Sequence, residues 1–564
     1  MGKIGLRKTL FLAAGLLAIG SFVLLFSFRS AAQTGDGLNY LISAQSGKNL
    51  FHPHHLLYNP LVRLFYLALS SVCRSCDVFL SAQIHNILWA VAAVIAMFII
   101  IRWLFNSYFI GSAAAVFLLI SQGFWKYATQ TEVYVPAMAC LALVVVMFIR
   151  RENSPLSAFE YFLVLLFFIL AVFYHQSSVL FLIPLGYLMF ATQGRRGKKT
   201  FGLLFIMSLL IISSVYILAY PSLGAEKTAA GFLRFCLSYT YHPDPNWGTL
   251  RNFSPLGMGR VLSSQIRNLF FVPPAIKIPF IALFGSVLFL LVAWNIRKIL
   301  KRSDDAKIRA FLLIWLAVHF LFFLWWSPGG QNEFTISLFP VNLLIFITIR
   351  DAWRHMNAAQ SRAVFFEVSL ASIILAAGVF NFWTAIRPLH ISKGGDYSAA
   401  QQLNFCIPPT RLILTTWDIE HHLIYYFHRE NVLEAEIPLL CFYQDMPLDA
   451  QYFRVRETEL AISPANLLPN CKNVPFNGYE RPKGWLGFIA WLFDFEYDAG
   501  RRLTSCRSFD VLPCGPGYIQ LSTVRMKVNG LGDFFRRLDD LYRRQAFGQL
   551  DLFQEWHKKF GDTF

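Results

Sequence analysis

Repeated apolar runs of about twenty residues constrain this chain more than any other feature, because about 20 residues of helix cross the hydrocarbon of a bilayer. Lipid offers no hydrogen bonds to a backbone, so each such run must be helical. The runs fall near residues 9–28, 84–104, 109–124, 133–149, 158–174, 178–193, 201–220, 276–296, 308–326, 333–349 and 363–386, eleven in all. Only 15% of residues are charged, against about a quarter in soluble proteins. The expected fold class is a polytopic α-helical membrane protein.

Net charge is +17, yet most Lys and Arg sit at the ends of apolar runs, the topology signal of membrane proteins. No basic and aromatic RNA or DNA module accompanies them, so nucleic acid is discounted as a partner. Arg150-Arg151, Arg195-Arg196 with Lys198-Lys199, Arg297-Lys298 with Lys301-Arg302, and Arg350 with Arg354 mark the inner connections. The short connections near 125–132, 175–177 and 327–332 hold only Lys126 and are read as outer. Arg29-Ser30-Ala31-Ala32 imitates a signal-peptidase site, but the preceding run is long, and a retained first helix is expected. An odd number of spans puts residues 387–564 outside as well.

Two domains follow: a membrane domain at 1–386, with outer loops at 29–83 and 221–275, and an extracytoplasmic α/β domain at 387–564. In the first loop, Leu61 to Val72 is half apolar and suits the membrane interface. In the second domain, Arg411 to Thr416, Ile437 to Tyr443 and Glu459 to Ser463 read as strands, and Asp418 as the cap of a helix carrying His421, His422 and Tyr425. Asp533 to Phe560 reads as an amphipathic helix, and Trp485 to Phe495 as a segment packed on the bundle or at the interface. Of nine cysteines, only Cys140 lies within a span; the other eight fall on the side that favours disulfides. Cys73-x-x-Cys76 also has the spacing of a redox or metal pair.

Polar residues gather at the outer ends of the spans. The first loop carries Asp36, His52, His54, His55 and Tyr58. The next outer turn carries Lys126, Gln130, Glu132 and Tyr134. Two later turns carry His175-Gln176 and Gln331, Asn332 and Glu333. Ionisable groups at membrane depth are costly and are functional candidates by default. Each has a plainer reading too: Asp36 as a turn aspartate, Glu132 as a helix cap, His175 as a bonded interface histidine, and the three nearby histidines as loop framework. Among Arg234, Arg251, Arg260 and Arg267 of the 221–275 loop, some could face anionic lipid head groups or be simply solvated.

Thr34-Gly35-Asp36, His52-Pro53 with Leu57-Tyr58, Trp125-Lys126-Tyr127 with Glu132-Val133-Tyr134, His175, and Trp326-Ser327-Pro328 through Glu333-Phe334 together resemble the motifs of a GT-C type glycosyltransferase family. It is the group related to protein O-mannosyltransferases and long catalogued as a domain of unknown function. The resemblance covers roughly residues 30–340 and continues weakly into Leu412 to Tyr426. It departs at His54-His55-Leu56-Leu57, where the family has a Pro-Gly-Tyr-Pro-like segment, and at Tyr174, where it tends to have Asn.

The resemblance implies an inverting transferase that uses a polyprenyl-phosphate-linked sugar donor and a hydroxyl acceptor on a protein or glycan. It acts at the outer face of a bacterial inner membrane or in the endoplasmic reticulum lumen. Asp36 is then the catalytic base. His52, His54, His55, Tyr58, Lys126, Glu132, Tyr134, His175, Gln176, Arg260, Arg267 and Glu333 line the donor and acceptor site. Lys126, His175 and an arginine of the 221–275 loop would meet the phosphate. A divalent metal held by His54, His55 and Glu132 is conceivable but not expected. Alternatives are a lipid-linked oligosaccharide ligase or polymerase, favoured by the loop arginines, a transporter, which the lack of internal repeats disfavours, and an inactive scaffold.

Overall fold

A computed structural model describes residues 3–149, 156–220, 228–236, 248, 250–272, 277–301, 305–356, 360–406, 413–415, 417–429, 432–434, 461–462, 512–514, 517–519 and 522–523. The chain divides into two compact units. The first comprises Met1–Ala31, Ser43–Ala219 and Gly248–Ser392; the second comprises Ala32–Ile42, Tyr220–Trp247 and Lys393–Phe564.

The first unit is a helical bundle. Its long helices are α1 (Lys3–Ser27), α4 (Val78–Phe105), α5 (Tyr108–Ile120), α7 (Tyr134–Ile149), α8 (Ala158–Tyr174), α9 (Leu182–Ala219), α12 (Lys277–Leu300), α13 (Ala306–Trp326), α14 (Leu338–Met356) and α15 (Gln360–Asn381). Shorter helices α3 (Tyr58–Val72), α6 (Gln122–Thr129) and α11 (Pro255–Leu269) come between them in the chain, α16 (Arg387–Ile391) follows α15, and α2 (Gly35–Ser46) begins in the second unit's segment Ala32–Ile42. α4 sits at the centre, packed on α1, α5 and α7, and α7 is buried along nearly its whole length. By contrast α1, α9, α12 and α15 present rows of exposed large apolar side chains, such as Phe11, Leu16, Leu210, Phe289 and Ile373. A water-facing surface of that kind is untenable, and a lipid-facing one is what a bundle in a bilayer needs. The protein is a polytopic helical membrane protein.

Among the described residues, seven helical stretches are long and apolar enough to cross a membrane, and α5 with α6 makes an eighth if that pair, bent by 64°, counts as one span. Two expected spans, 178–193 and 201–220, fall in a single helical stretch, Gln176–Ala219. Forty-four residues of straight helix would measure about 66 Å, more than twice the hydrocarbon thickness. The stretch is instead broken at Gly194, whose φ of 55° and ψ of −130° are open to glycine and strained for other residues. Phe190 and Phe201 on either side stack edge to face at 5.3 Å, and Gly186 lies against the Phe201 ring. The chain therefore doubles back, and the expected inner loop carrying Arg195 to Lys199 is helical. The remaining expected spans at 133–149 and 158–174 coincide with α7 and α8, which are apolar but short.

Three other expectations are corrected. The outer loop 29–83 contains α2 and α3, and α4 starts at Val78 rather than near 84 because the Asp77 side chain accepts the Leu80 amide at 2.7 Å and caps it. The 221–275 loop contains helices α10 (Ala229–Cys236) and α11. Arg350 is no free loop cation. Its guanidinium donates to Asp305 at 2.6 Å, and Arg309, fully buried on α13, donates to Asp305 at 2.6 Å, to Asp351 at 3.0 Å and to Asn295 at 2.6 Å. This network clasps the ends of α12, α13 and α14.

Cys73 and Cys76 are joined as a disulfide just beyond α3, with Cα atoms 5.4 Å apart. Cys140, buried in α7, is a free thiol. The side chains of the cysteines from Cys406 onwards lie outside the described residues.

In the second unit, strands β1 (Ile413–Thr415) and β2 (Val432–Glu434) pair in parallel, with α18 (Trp417–Phe427) between them. β3 (Ala461–Ile462) adds in parallel to β1, and β6 (Ser522–Thr523) runs antiparallel to β3. β4 (Leu512–Cys514) and β5 (Gly517–Ile519) form a separate pair. The strands expected at 411–416 and 459–463 are found at Ile413–Thr415 and Ala461–Ile462, and the expected helix starts at Trp417, with Asp418 in its first turn rather than as its cap. α17 (Gly395–Cys406) packs on α18. The expectations for 437–443, 485–495 and 533–560 lie outside the described residues.

Candidate active site

The His-Pro loop after α2 is held from several sides within the first unit. The Leu57 amide donates to the Phe173 carbonyl at 3.2 Å, the Gln176 amide to the His54 carbonyl at 2.9 Å, and the Tyr216 hydroxyl to the Pro53 carbonyl at 2.5 Å. The His-Pro loop thus meets the α8 end where His175 and Gln176 sit. The His175 ring lies 4.9 Å from the Tyr134 ring, and the Asn332 amide donates to the Tyr134 hydroxyl at 2.8 Å. Four separate connections therefore meet in one polar layer: residues 52–58, 126–134, 175–176 and 332–333. Tyr58, Glu132, Tyr134 and Glu333 are buried there, and His52, His54, Lys126, His175 and Gln176 are half-buried.

Residues on α4 that the sequence reading passed over hold this layer in place. The Gln83 amide donates to the Ser30 carbonyl at 2.8 Å and to the Thr129 carbonyl at 2.7 Å. The Asn86 amide donates to the Gln130 carbonyl at 2.8 Å and the Glu132 carbonyl at 2.7 Å, while its oxygen accepts the Tyr58 hydroxyl at 3.2 Å. His85 bonds the Tyr174 hydroxyl at 3.1 Å, which gives a role to the tyrosine standing where the family tends to have Asn. The available signal was Gln83-x-x-Asn86, polar residues at i and i+3 on one face of an apolar helix. His319, fully buried on α13 with Nδ1 on the Trp315 carbonyl at 3.1 Å, also lies near His175.

The cationic side of the layer comes from α6 and α11. The Lys126 ammonium lies over the Tyr127 ring at 4.9 Å, and Arg267 on α11 reaches the vicinity of the same tyrosine. Arg267 donates to Ser264 at 3.3 Å, and its Nε has no partner. Neither cation forms an ion pair with a carboxylate among the described residues. α6 and α11 can approach this closely only because residue 123 is glycine: a Cβ there would lie 3.0 Å from the Asn268 Cα. Arg260, on the same helix as Arg267, is half-buried.

Burial from water sets the protonation of the histidines. It holds His52 down at about 4 and His175 at about 3, with His319 adding to the effect at His175, and it pushes His54 and His55 well below their ordinary value. At neutral pH they are neutral hydrogen-bonding groups. An imidazole that resists protonation when folded but titrates near 6.5 when unfolded makes the unfolded chain bind more protons below pH 6.5. Stability is therefore expected to be full above pH 6.5 and to fall as pH drops towards about 4. A thermal-unfolding series in detergent from pH 7.5 to 4.5 checks this, and His52→Phe is expected to shallow the slope. A rise in midpoint on acidification would contradict it.

The His52 and His55 rings are stacked, with centroids 4.2 Å apart and planes 6° from parallel. Their in-plane lone pairs therefore run side by side and do not converge on one ion, and no group of three His, Cys, Asp or Glu among the described residues is placed to hold one.

Asp36 belongs to the second unit and starts α2. The Thr34 hydroxyl accepts the Gly37 amide at 3.0 Å as an N-cap, which places Asp36 in the first helical turn. The Gly35 amide donates to the Asp418 carboxylate at 2.5 Å. Asp36 is thus no ordinary turn aspartate, and the α2 dipole favours a carboxylate at that place.

No protein-family model matches the sequence, and no curated protein matches it. Solved structures do. ArnT from Cupriavidus metallidurans, crystallised bound to undecaprenyl phosphate, superposes with a TM-score of 0.50 at 11% identity, covering 82% of this chain and 94% of ArnT. The apo form of the same protein gives 0.46 at 12% identity, covering 80% and 92%. The oligosaccharyltransferase from Archaeoglobus fulgidus, in complex with zinc and sulfate, gives 0.46 at 15% identity, covering 73% of this chain and 61% of that one. At such identities the likeness to ArnT is one of fold, and this chain is a membrane protein built on an ArnT-like fold.

Proposed function

We propose that this protein is an integral membrane glycosyltransferase of the GT-C type, moving a sugar from a polyprenyl-phosphate donor to an acceptor hydroxyl on the outer face of the membrane. The observation that carries this reading is the pair of unneutralised cations, Lys126 and Arg267, facing one polar layer formed by four connections. Half-buried cations without carboxylate partners carry a desolvation cost, and an anionic ligand such as a phosphate offsets it. The ArnT-like fold and the sequence resemblance to GT-C transferases support the same reading.

In the proposed reaction Asp36 takes the proton of the acceptor hydroxyl. The acceptor oxygen attacks the anomeric carbon as the bond from that carbon to the phosphate oxygen breaks, inverting the centre and releasing polyprenyl phosphate. Lys126 and Arg267 stabilise the charge that grows on the departing phosphate, with neutral His175 and Gln176 as hydrogen-bonding partners. Tyr58, Glu132, Tyr134, Glu333 and the stacked histidines shape the sugar and acceptor subsites, and Arg260 extends the cationic wall.

Purified protein supplied with a panel of polyprenyl-phosphate sugars and hydroxyl acceptors is expected to transfer at least one sugar. Lys126→Ala and Arg267→Ala should each lower kcat by about 10²-fold, the usual loss when one preorganised charge-stabilising donor is removed. If the wild type ignored every such donor yet joined glycans carried on lipid pyrophosphate, the ligase reading would replace this one.

A further inference from the structure

α5 and α15 run side by side but leave an apolar groove between them, with a volume of about 500 Å³. Its walls include Ala113, Val116, Ile374, Gly378, Phe382 and Trp383, and the polar side-chain groups among its lining residues are the Ser112 hydroxyl and the Trp383 indole N–H. A Cβ on Gly378 would lie 3.4 Å from Ile120, so the helices nearly touch at that level and part elsewhere. From Phe109 to Ile120 the groove follows eleven helical steps, or about 16 Å, roughly half of the ~30 Å hydrocarbon layer.

One end of the groove leads to the polar layer. Asn381, the last residue of α15, donates to the Ile120 carbonyl at 3.0 Å and the Leu269 carbonyl at 2.9 Å, and accepts the Phe271 amide at 3.1 Å. That one side chain draws the ends of α5, α11 and α15 together. Immediately beyond them lie α6, with Lys126, and the last turn of α11, with Arg267. α15 continues into a π-helical turn, Phe382–Ile386, ahead of Pro388, whose ring excludes a normal bond to the carbonyl four residues back. Beyond that turn, Arg387 is exposed and packs on the Trp383 ring at 5.1 Å.

We infer that this groove binds the head-proximal isoprenes of the polyprenyl chain, so that the phosphate of the same lipid reaches Lys126 and Arg267, with Arg387 at the mouth. The inference rests on the proposed transferase reading for the identity of the lipid. A single slot one leaflet deep suits one chain rather than the two of a phospholipid, and the cations at its end suit a compact phosphate.

The test uses the full-length protein in phosphatidylcholine nanodiscs with a polyprenyl phosphate carrying a diazirine on a head-proximal isoprene. Labelling is expected on peptides covering 109–120 and 371–383, suppressed by unlabelled polyprenyl phosphate and not by phosphatidylglycerol. Ala371→Trp, at an exposed position, and Ser112→Phe fill the groove. Each is expected to weaken polyprenyl phosphate binding about tenfold, the loss from displacing about two buried methylenes, with the unfolding midpoint unchanged. Labelling suppressed equally by phosphatidylglycerol would mark an ordinary annular lipid and overturn the inference. So would labelling on other helices, even if sugar transfer were found. Labelling in the groove without transfer of any sugar would uphold the groove while the transferase reading failed.

Discussion

Asp36→Asn is expected to cut sugar transfer by about 10²–10⁴-fold, the usual contribution of a positioned general base, while leaving folding and lipid binding in place. Asparagine keeps the size of the side chain and can occupy the first turn of a helix, so the Thr34 cap and the link from the Gly35 amide to Asp418 survive the exchange. What is removed is the negative oxygen that, in the proposed reaction, accepts the proton of the acceptor. The loss should appear in kcat, with the KM for the polyprenyl donor little changed. Asp36→Glu retains the charge but moves it by one methylene, and should recover part of the rate. Unchanged turnover in the Asn variant would remove Asp36 from the chemistry.

Arg309→Met should destabilise the bundle by about 3–5 kcal/mol, the usual cost of breaking a buried charge pair from one side. Arg309 is wholly buried and contacts Asp305, Asp351 and Asn295; without it Asp351 retains Lys298 at 3.6 Å and the Trp294 indole at 3.0 Å. Arg297→Met, an exposed cation two residues from Asn295, supplies the contrast and should stay within about 0.5 kcal/mol of the wild type. Chemical unfolding in detergent separates the two. A small, equal shift in both variants would mean that the network contributes little.

The apolar segments were legible as helices because lipid enforces a simple rule, that an apolar run of sufficient length must be helix, but among the described residues seven stretches, or eight with the bent α5–α6 pair, have the length to cross a membrane, against the eleven expected. Where other physics governs, the sequence was less transparent. α2 begins at Gly35-Asp36-Gly37, a composition that suggests a turn, because one hydroxyl cap on Thr34 outweighs the poor helix propensity of two glycines. The reversal at Gly194 and the bend between α5 and α6 depend on single backbone positions within apolar stretches. In the polar layer, His52, Lys126, Tyr134 and His175 were recognisable by residue type and by their places between spans. Gln83, Asn86 and His319 were not, since a lone polar residue within a helix gives no sign of which partners it meets. Arg350 read as a topology marker, and its partners Asp305 and Arg309 lie too far away in sequence to reveal the network.

Gln83 and Asn86 grip main-chain carbonyls at 30, 129, 130 and 132, and the Asn86 oxygen meets side chains at Tyr58 and His85. The frame of the polar layer is therefore largely indifferent to which side chains project from residues 129–132. In the proposed transferase, exchanging those side chains would alter which sugar or acceptor is admitted while the carbonyl contacts to α4 stay in place. A single rigid mount with replaceable fittings is a physical route by which one membrane scaffold could diversify its substrates while its proteins lose nearly all sequence likeness.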